Sequence, residues 1–308
     1  MFDAMSRSPR RHRTAACAGF LLEFSAKMKC ALGAATALWH TVQRAHDAMG
    51  TNGPQVTVLL PVKHYHRRFL EEAIRSILHQ SVPEWRLLVI VEDATGPRLP
   101  LAVQAAAADR RVAVVRNDGR KLAGAINTGM RYAATDYVAI LLGDDHWALD
   151  AVEVLERCIT REPEVDFFHS SRQVVDEEGR PISSILRSRD AFAASDFKNG
   201  SPVKHLLCWR RQMGLAVGGL DESLNSVGPD DYDFPWTMAD HGARFRAVPE
   251  CLYYYRDHRE CYRLTTHLPL HVHRAEINRI MKKHGVARPE RRERLARVTR
   301  SFLRQCLF

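Results

Sequence analysis

The chain has 308 residues, 45% hydrophobic and 26% charged, with no low-complexity tract, a composition that excludes a disordered or fibrous protein. Seven cysteines lie scattered, odd in number and nowhere spaced C-x-x-C, which argues against a disulfide framework or structural zinc and for a reducing compartment. The net charge of +9 gathers at the ends: residues 271–308 carry 11 Lys and Arg against 3 Asp and Glu, and residues 1–53 carry 7 against 3. Basic ends suit anionic surfaces; the slightly acidic middle suits a divalent cation and argues against nucleic acid as partner.

Residues 1–53 read as a basic helical extension, opening with Arg7, Arg10, Arg11 and Arg13 and helical from Leu21 to Ala48. The apolar run Ala15–Phe24 is interrupted by Glu23 and falls short of the ~20 residues that cross a bilayer, and it lacks the cleavage site of a secretory signal. Thr51–Pro54 breaks the helix. Val56–Leu60, closed by Pro61, is a short β-branched run that predicts a buried parallel strand. A helix follows over Phe69–Gln80, with Leu70, Ile74, Ile77 and Leu78 on one face. Further strands are expected at Arg86–Val91, Val112–Val115 and Tyr137–Leu142, separated by helices at Leu101–Ala108 and Ala123–Ala134. Strands alternating with helices of this length predict an α/β fold built on a mostly parallel sheet.

After Asp150 come a helix, a strand over Val165–His169 and a hairpin turn at Asp176–Arg180. The second half is less regular, with a helix near Tyr232–Asp240 and strands near Arg244–Val248 and Cys251–Tyr255. From about residue 268 to 308 the chain reads as a basic helical tail with Leu295, Val298, Phe302 and Leu303 at helical spacing. Three segments are therefore expected: the extension 1–53, an α/β domain over 54–267, and the tail 268–308.

Right-handed crossovers bring the C-terminal ends of parallel strands to one edge, where ligands bind in open α/β sheets. The first strand ends in Pro61-Val62-Lys63, the second in Glu92-Asp93 and the fourth in Gly143-Asp144-Asp145. Paired acids on a glycine turn can hold Mg²⁺ or Mn²⁺ together with substrate phosphates; the structural alternative is that Asp145 or Asp150 caps the helix that follows. His64, His66, His267, His271 and His273 lack the spacing of a zinc site and read as solvated or phosphate-proximal side chains.

The order of these segments resembles family 2 glycosyltransferases with the GT-A fold. The likeness is carried by Val56-Thr57-Val58-Leu59-Leu60-Pro61-Val62, the helix Phe69–Gln80, Val91-Glu92-Asp93 and Ala123–Gly129. It continues through Leu141–Asp145, Gly218-Gly219-Leu220-Asp221-Glu222, Asp230-Asp231-Tyr232-Asp233 and Leu252–His258. Any one of these is a weak signal; the ordered set is specific.

The resemblance implies a Rossmann-like sheet flanked by helices, a nucleoside-diphosphate sugar as donor (a UDP-sugar favoured), and a glycan or lipid-linked acceptor. It implies that Asp93, Pro61 and Lys63 meet the nucleotide, that Asp144 or Asp145 holds Mn²⁺ or Mg²⁺ on the diphosphate, and that His258 is a further ligand. Asp231, with Asp230 as alternative, would be the general base of an inverting transfer, and Lys121 would stand near the diphosphate or ribose. Two departures stand out: Leu142 replaces the first acid of the metal turn, and Asp230 replaces a glutamate. The first leaves open a relative that binds nucleotide sugar without transferring it. A cytoplasmic location is expected, with the basic tail against the inner face of the membrane. The alternative for that tail is a helix packed on the domain.

Overall fold

The computed structural model describes Gly53 and residues 55–92, 99–224, 230–258 and 269–305, with backbone alone at Asp230 and 302–305. The expected extension before Gly53, Asp93 and His267 lie outside the described residues. The chain divides into two units between Gly53 and Pro54, and the fold below is that of the second.

Eight strands form one sheet in the order β3-β2-β1-β4-β7-β6-β8-β5. The first four are β1 (Val56–Val62), β2 (Trp85–Val91), β3 (Val112–Arg116) and β4 (Tyr137–Ile140). All four run parallel, with Val58 opposite Leu87 on one side and Ala139 on the other. Between them lie α1 (Arg67–Leu78), α2 (Leu101–Ala106) and α3 (Lys121–Tyr132). The expected βαβ reading holds, with boundaries shifted by no more than two residues.

Because β1 is buried on both faces, its side chains alternate between two cores. Val58 and Leu60 enter a cluster with Leu70, Ile74 and Ile77 of α1 and with Val152 and Leu155 of α4 (Ala151–Arg161). Leu59 enters the opposite cluster with Ile126 and Met130 of α3. Each such side chain taken wholly from water contributes roughly 1.5–3 kcal/mol.

The second half is mixed. β6 (Phe167–Val175) and β8 (Phe245–Arg256) are parallel partners, while β7 (Leu207–Arg210) runs antiparallel between β4 and β6. The two-residue β5 (His146–Trp147) closes the far edge antiparallel to β8. The two strands expected near Arg244 and Cys251 are one, with the register slipping beside Ser170 and Ser171 of β6. The turn at Asp176 forms, its amide donating to Arg180 O at 2.9 Å, but the returning limb makes only the isolated bridges Val175–Pro181 and Arg172–Leu186. Pro181 has no amide to donate, which leaves that ladder broken.

α5 (Arg211–Ala216) and α6 (Asp230–Asp240) follow β7, and α7 (Leu270–Lys283) and α8 (Arg288–Gln305) end the described chain. Of the stretch 268–308, expected as a tail beyond the domain, the described helices join its packing: Ile277, Ile280 and Met281 of α7 share the second core with Phe234 and Trp236 of α6. The apolar stripe expected on the last helix is turned inward too, with Val298 buried and Leu295 packed against that core. The side chain of Phe302 lies outside the described residues.

Candidate active site

β1 is flanked by β2 on one side and β4 on the other, and in open α/β sheets ligands bind in the crevice beyond the C-terminal ends of such central strands. Lys63 leaves β1 there, exposed and 3.6 Å from Glu92 at the end of β2. Pro61 is half-buried in β1, opposite Ile90.

The turn after β4 gives its two acids different surroundings. Asp145 is 2% exposed: its Oδ2 accepts from the Tyr253 hydroxyl at 2.6 Å and its Oδ1 from the Arg256 amide at 2.8 Å. Burial pushes its pKa up to about 7, against the pull of those two donors. The carboxyl therefore ties the turn to β8. Asp144 is the accessible member, its side chain 37% exposed and its Oδ2 3.4 Å from Nε2 of His258. That nitrogen is buried and has no hydrogen-bond partner, and the ring packs on Phe69 of α1 at 4.9 Å between centroids. An unsatisfied imidazole nitrogen beside an accessible carboxylate oxygen is a donor pair fitted to a divalent cation. Two protein ligands leave the remaining positions for phosphate oxygens. Among the described residues no cluster of three or more His, Cys, Asp or Glu gathers to cage a metal.

Arg256 stands in the segment Leu252–His258 that carries the resemblance, but the sequence assigned it no role. Its guanidinium is fully buried, donates to Asp144 O at 2.9 Å and Glu177 O at 2.7 Å, pairs with Glu72 of α1 and lies over Phe69. An arginine closing an apolar strand was the available signal. It joins α1, the metal turn and the Asp176 turn at one point. Its charge, after burial, holds the neighbouring His146 down to a pKa of about 4.

On the other side of the crevice, α3 begins at Lys121, whose backbone lies in the left-handed region (φ 54°), uncommon for a side chain of this kind. Lys121 is exposed and its carbonyl accepts from Asn117. The loop before it approaches the helix so closely that a Cβ on Gly119 would meet Gly124 Cα at 2.6 Å. Asn127 of α3 clasps the backbone of Leu220, accepting at 2.8 Å and donating at 2.9 Å, while Glu222 accepts from Asn127 and from the Arg120 amide. Gly219, at φ 75°, allows that approach; a Cβ there would lie 2.4 Å from Asn127 Oδ1.

Asp231 is exposed near the start of α6, and its field reaches Lys204 and His205. The side chain of Asp230 lies outside the described residues. Asp233, two residues and so about half a turn on, faces a buried cluster: it accepts from Lys283 Nζ at 2.6 Å and lies 3.0 Å from His284 Nε2. His284 also meets Asp240 at 2.6 Å and stacks on Trp236. Arg279 of α7 reaches Ser223 Oγ at 2.6 Å, and Lys283 lies 3.5 Å from Asp221, so α7 grips both sides of the segment leading to Asp231.

The family model for glycosyl transferase family 2 matches residues 57–211. The O-antigen biosynthesis protein RfbC of Myxococcus xanthus is 24% identical over 210 residues, 66% of this chain and 16% of RfbC. The chain spans between 16% and 56% of the length of the first three curated relatives it matches. Among solved structures, S. aureus TarS 1-349 in complex with UDP-GlcNAc superposes with a TM-score of 0.61 at 14% identity, covering 80% of this chain and 72% of TarS 1-349. The mannosyltransferase PcManGT of Pyrobaculum calidifontis, in complex with GDP-Man and Mn²⁺, gives 0.53 at 20% identity, covering 88% and 78%. With a matched model over half its length and the GT-A arrangement of sheet and helices, the chain belongs to glycosyl transferase family 2.

Proposed function

We propose that the domain transfers a sugar, with inversion, from a nucleoside-diphosphate sugar to a hydroxyl of a glycan or lipid-linked acceptor. The observation that carries the reading is the pairing of accessible Asp144 with the unsatisfied Nε2 of His258 at the β1/β4 crevice. These two residues would hold Mn²⁺ or Mg²⁺; when bound, the ion would neutralise charge that builds on the departing diphosphate. Asp145 keeps the turn in place through Tyr253 and Arg256. Pro61, Lys63 and Asp93 would line the nucleotide, and Lys121 would meet the diphosphate or ribose. Asp231, with Asp230 as its alternative, would take the proton of the attacking hydroxyl. A UDP-sugar is the favoured donor, in keeping with the UDP-GlcNAc that TarS binds; the GDP-Man and Mn²⁺ of PcManGT keep a guanosine donor and that metal in the panel below.

Binding and slow hydrolysis of UDP-, dTDP- and GDP-sugars with Mn²⁺, on wild type and Asp144→Ala, test this. One donor bound in a metal-dependent way and lost in the variant is the expected result. A folded protein that binds no donor would leave instead a relative with a degenerate metal turn, with Leu142 the first suspect.

The same reading carries a cytoplasmic location with peripheral contact at the membrane. No helix among the described residues is long and apolar enough to cross a bilayer. The contact would be electrostatic, since Leu295 and Val298 are packed inward, and Lys282, Arg288, Arg291 and Arg292 line an open pocket of about 430 Å³ between α7 and α8. A full chain that fails to sediment with anionic vesicles at low salt would remove this part.

A further inference from the structure

Between Arg172 and Trp209 the sequence offers no legible acceptor code, yet the fold brings Arg172 at its start against His205 near its end. Arg172, in β6, sends Nη1 to within 3.4 Å of His205 Nδ1, and its guanidinium lies 5.0 Å from the Tyr255 ring. Its Nε is buried and has no hydrogen-bond partner. His205 is itself buried and packs 5.2 Å from the ring of Tyr253, the residue whose hydroxyl holds Asp145. Lys204, half-buried, donates only to the Ser201 carbonyl, at 3.2 Å. Among the described side chains no carboxylate forms an ion pair with Arg172 or Lys204.

Among the described residues the two cations are thus gathered without an ion-pair partner, within the fields of Asp145 and Asp231 alone. Burial, then the charge of Arg172, lowers the pKa of Lys204, with Asp231 alone opposing; burial holds His205 to a pKa of about 4, so its imidazole is neutral at pH 7 and Nδ1 can accept from Arg172. Holding cations out of water without a partner is costly, and a guanidinium edge with a free Nε–H beside an ammonium matches the oxygens of a phosphate. The field of Asp231 on Lys204 and His205, and that of Arg172 on Asp145, bring the group within electrostatic reach of the candidate base and of the turn after β4.

We infer that Arg172 and Lys204, with His205 supporting the arginine, form a subsite for a phosphate group carried by the acceptor. The inference rests on the transferase reading and names the acceptor's chemical class. The rival source of the same chemistry is the donor's own diphosphate, and the experiment separates the two.

The full chain with Mn²⁺ is titrated calorimetrically with UDP, GDP and dTDP, and then with glycerol 3-phosphate in the presence and absence of the nucleotide that binds. Uncharged glycerol serves as control. Wild type is expected to bind glycerol 3-phosphate alongside the nucleotide and to ignore glycerol. Arg172→Gln and Lys204→Gln should each weaken that binding about tenfold or more while keeping nucleotide affinity, which also reports that they fold. Arg172→Lys, which keeps the charge and loses the fork, should fall between. Variants that bind glycerol 3-phosphate like wild type, or that lose nucleotide affinity instead, overturn the subsite. If no nucleotide binds but glycerol 3-phosphate does so through Arg172 and Lys204, the subsite stands and the transferase reading falls.

Discussion

His258 Nε2 lies 3.4 Å from Asp144 Oδ2, buried, with no hydrogen-bond partner, at the end of the strand whose amide at Arg256 holds Asp145. A buried imidazole nitrogen left unpaired loses its hydration for nothing unless a ligand completes it. His258→Ala is accordingly expected to weaken Mn²⁺-assisted nucleotide binding at least about tenfold. Nucleotide binding without metal should change little. Equal loss with and without Mn²⁺ would show that His258 acts by shaping the crevice and not as a ligand.

The proposed roles of Asp231 and Asp144 separate kinetically. Removing a general base lowers turnover by about 10²- to 10⁴-fold and leaves donor binding intact. Asp231→Asn should therefore keep the donor affinity of wild type while kcat falls by that order, and Asp230→Asn should lose far less. If Asp230→Asn is the dead variant and Asp231→Asn is not, the two assignments exchange. The measurement is steady-state transfer beside calorimetric donor binding.

What the sequence made legible follows from what its residues have to bury. The strands β1 to β4 read correctly because side chains such as Val58 and Leu59 meet a core on each face and must be apolar. β6 read short because Ser170 and Ser171 continue it as polar residues that are buried and satisfied, Ser170 Oγ accepting from the Leu206 amide and Ser171 Oγ donating to Pro249 O. Such pairings reach across 36 and 78 residues and leave no local periodicity. The motif residues Gln80 and Asn127 turned out to be fasteners. Gln80 bonds Ala148 O and the Val152 amide, and Asn127 clasps Leu220. The turn after β4 was visible as adjacent acids, but which acid faces outward was not, because Tyr253 and Arg256 decide it from 108 and 111 residues away.

Asp233 makes a stability prediction independent of catalysis. Its side chain is 2% exposed, and it is held by Lys283 at 2.6 Å and by His284 at 3.0 Å. Breaking a buried pair by removing one partner leaves a charge without compensation and costs about 3–5 kcal/mol. Lys283→Met, which leaves the buried Asp233 carboxylate facing only His284, should lose about that much in urea unfolding. Asp233→Ala should lose less, because the lysine is 36% exposed and can rehydrate once its partner is gone. A loss under 1 kcal/mol for Lys283→Met, by the roughly 0–1 kcal/mol scale of surface pairs, would mean that the cluster is solvated.

Glu156 offers a test by pH. It lies half-buried on α4, and burial pushes its pKa up to about 7, against a hydrogen bond from the Gln55 amide and with a smaller push from Glu84. The folded protein thus keeps a proton between pH 4.5 and about 7 that the unfolded chain releases, and stability from this group falls as pH rises through that window. The buried imidazoles of His146 and His205, each held to a pKa of about 4, act in the opposite sense: they stay neutral where the unfolded chain takes up protons, so their part of the stability is lost as pH falls from 6.5 toward 4. Asp145 shares the direction of Glu156. The wild-type curve mixes all of these, whereas the difference between Glu156→Gln and wild type isolates one. That difference in Tm should move in the variant's favour as pH rises from 4.5 to 7 and stay level above pH 8. A difference that is flat across the whole range would mean that Glu156 titrates in the folded protein as it does in the unfolded chain.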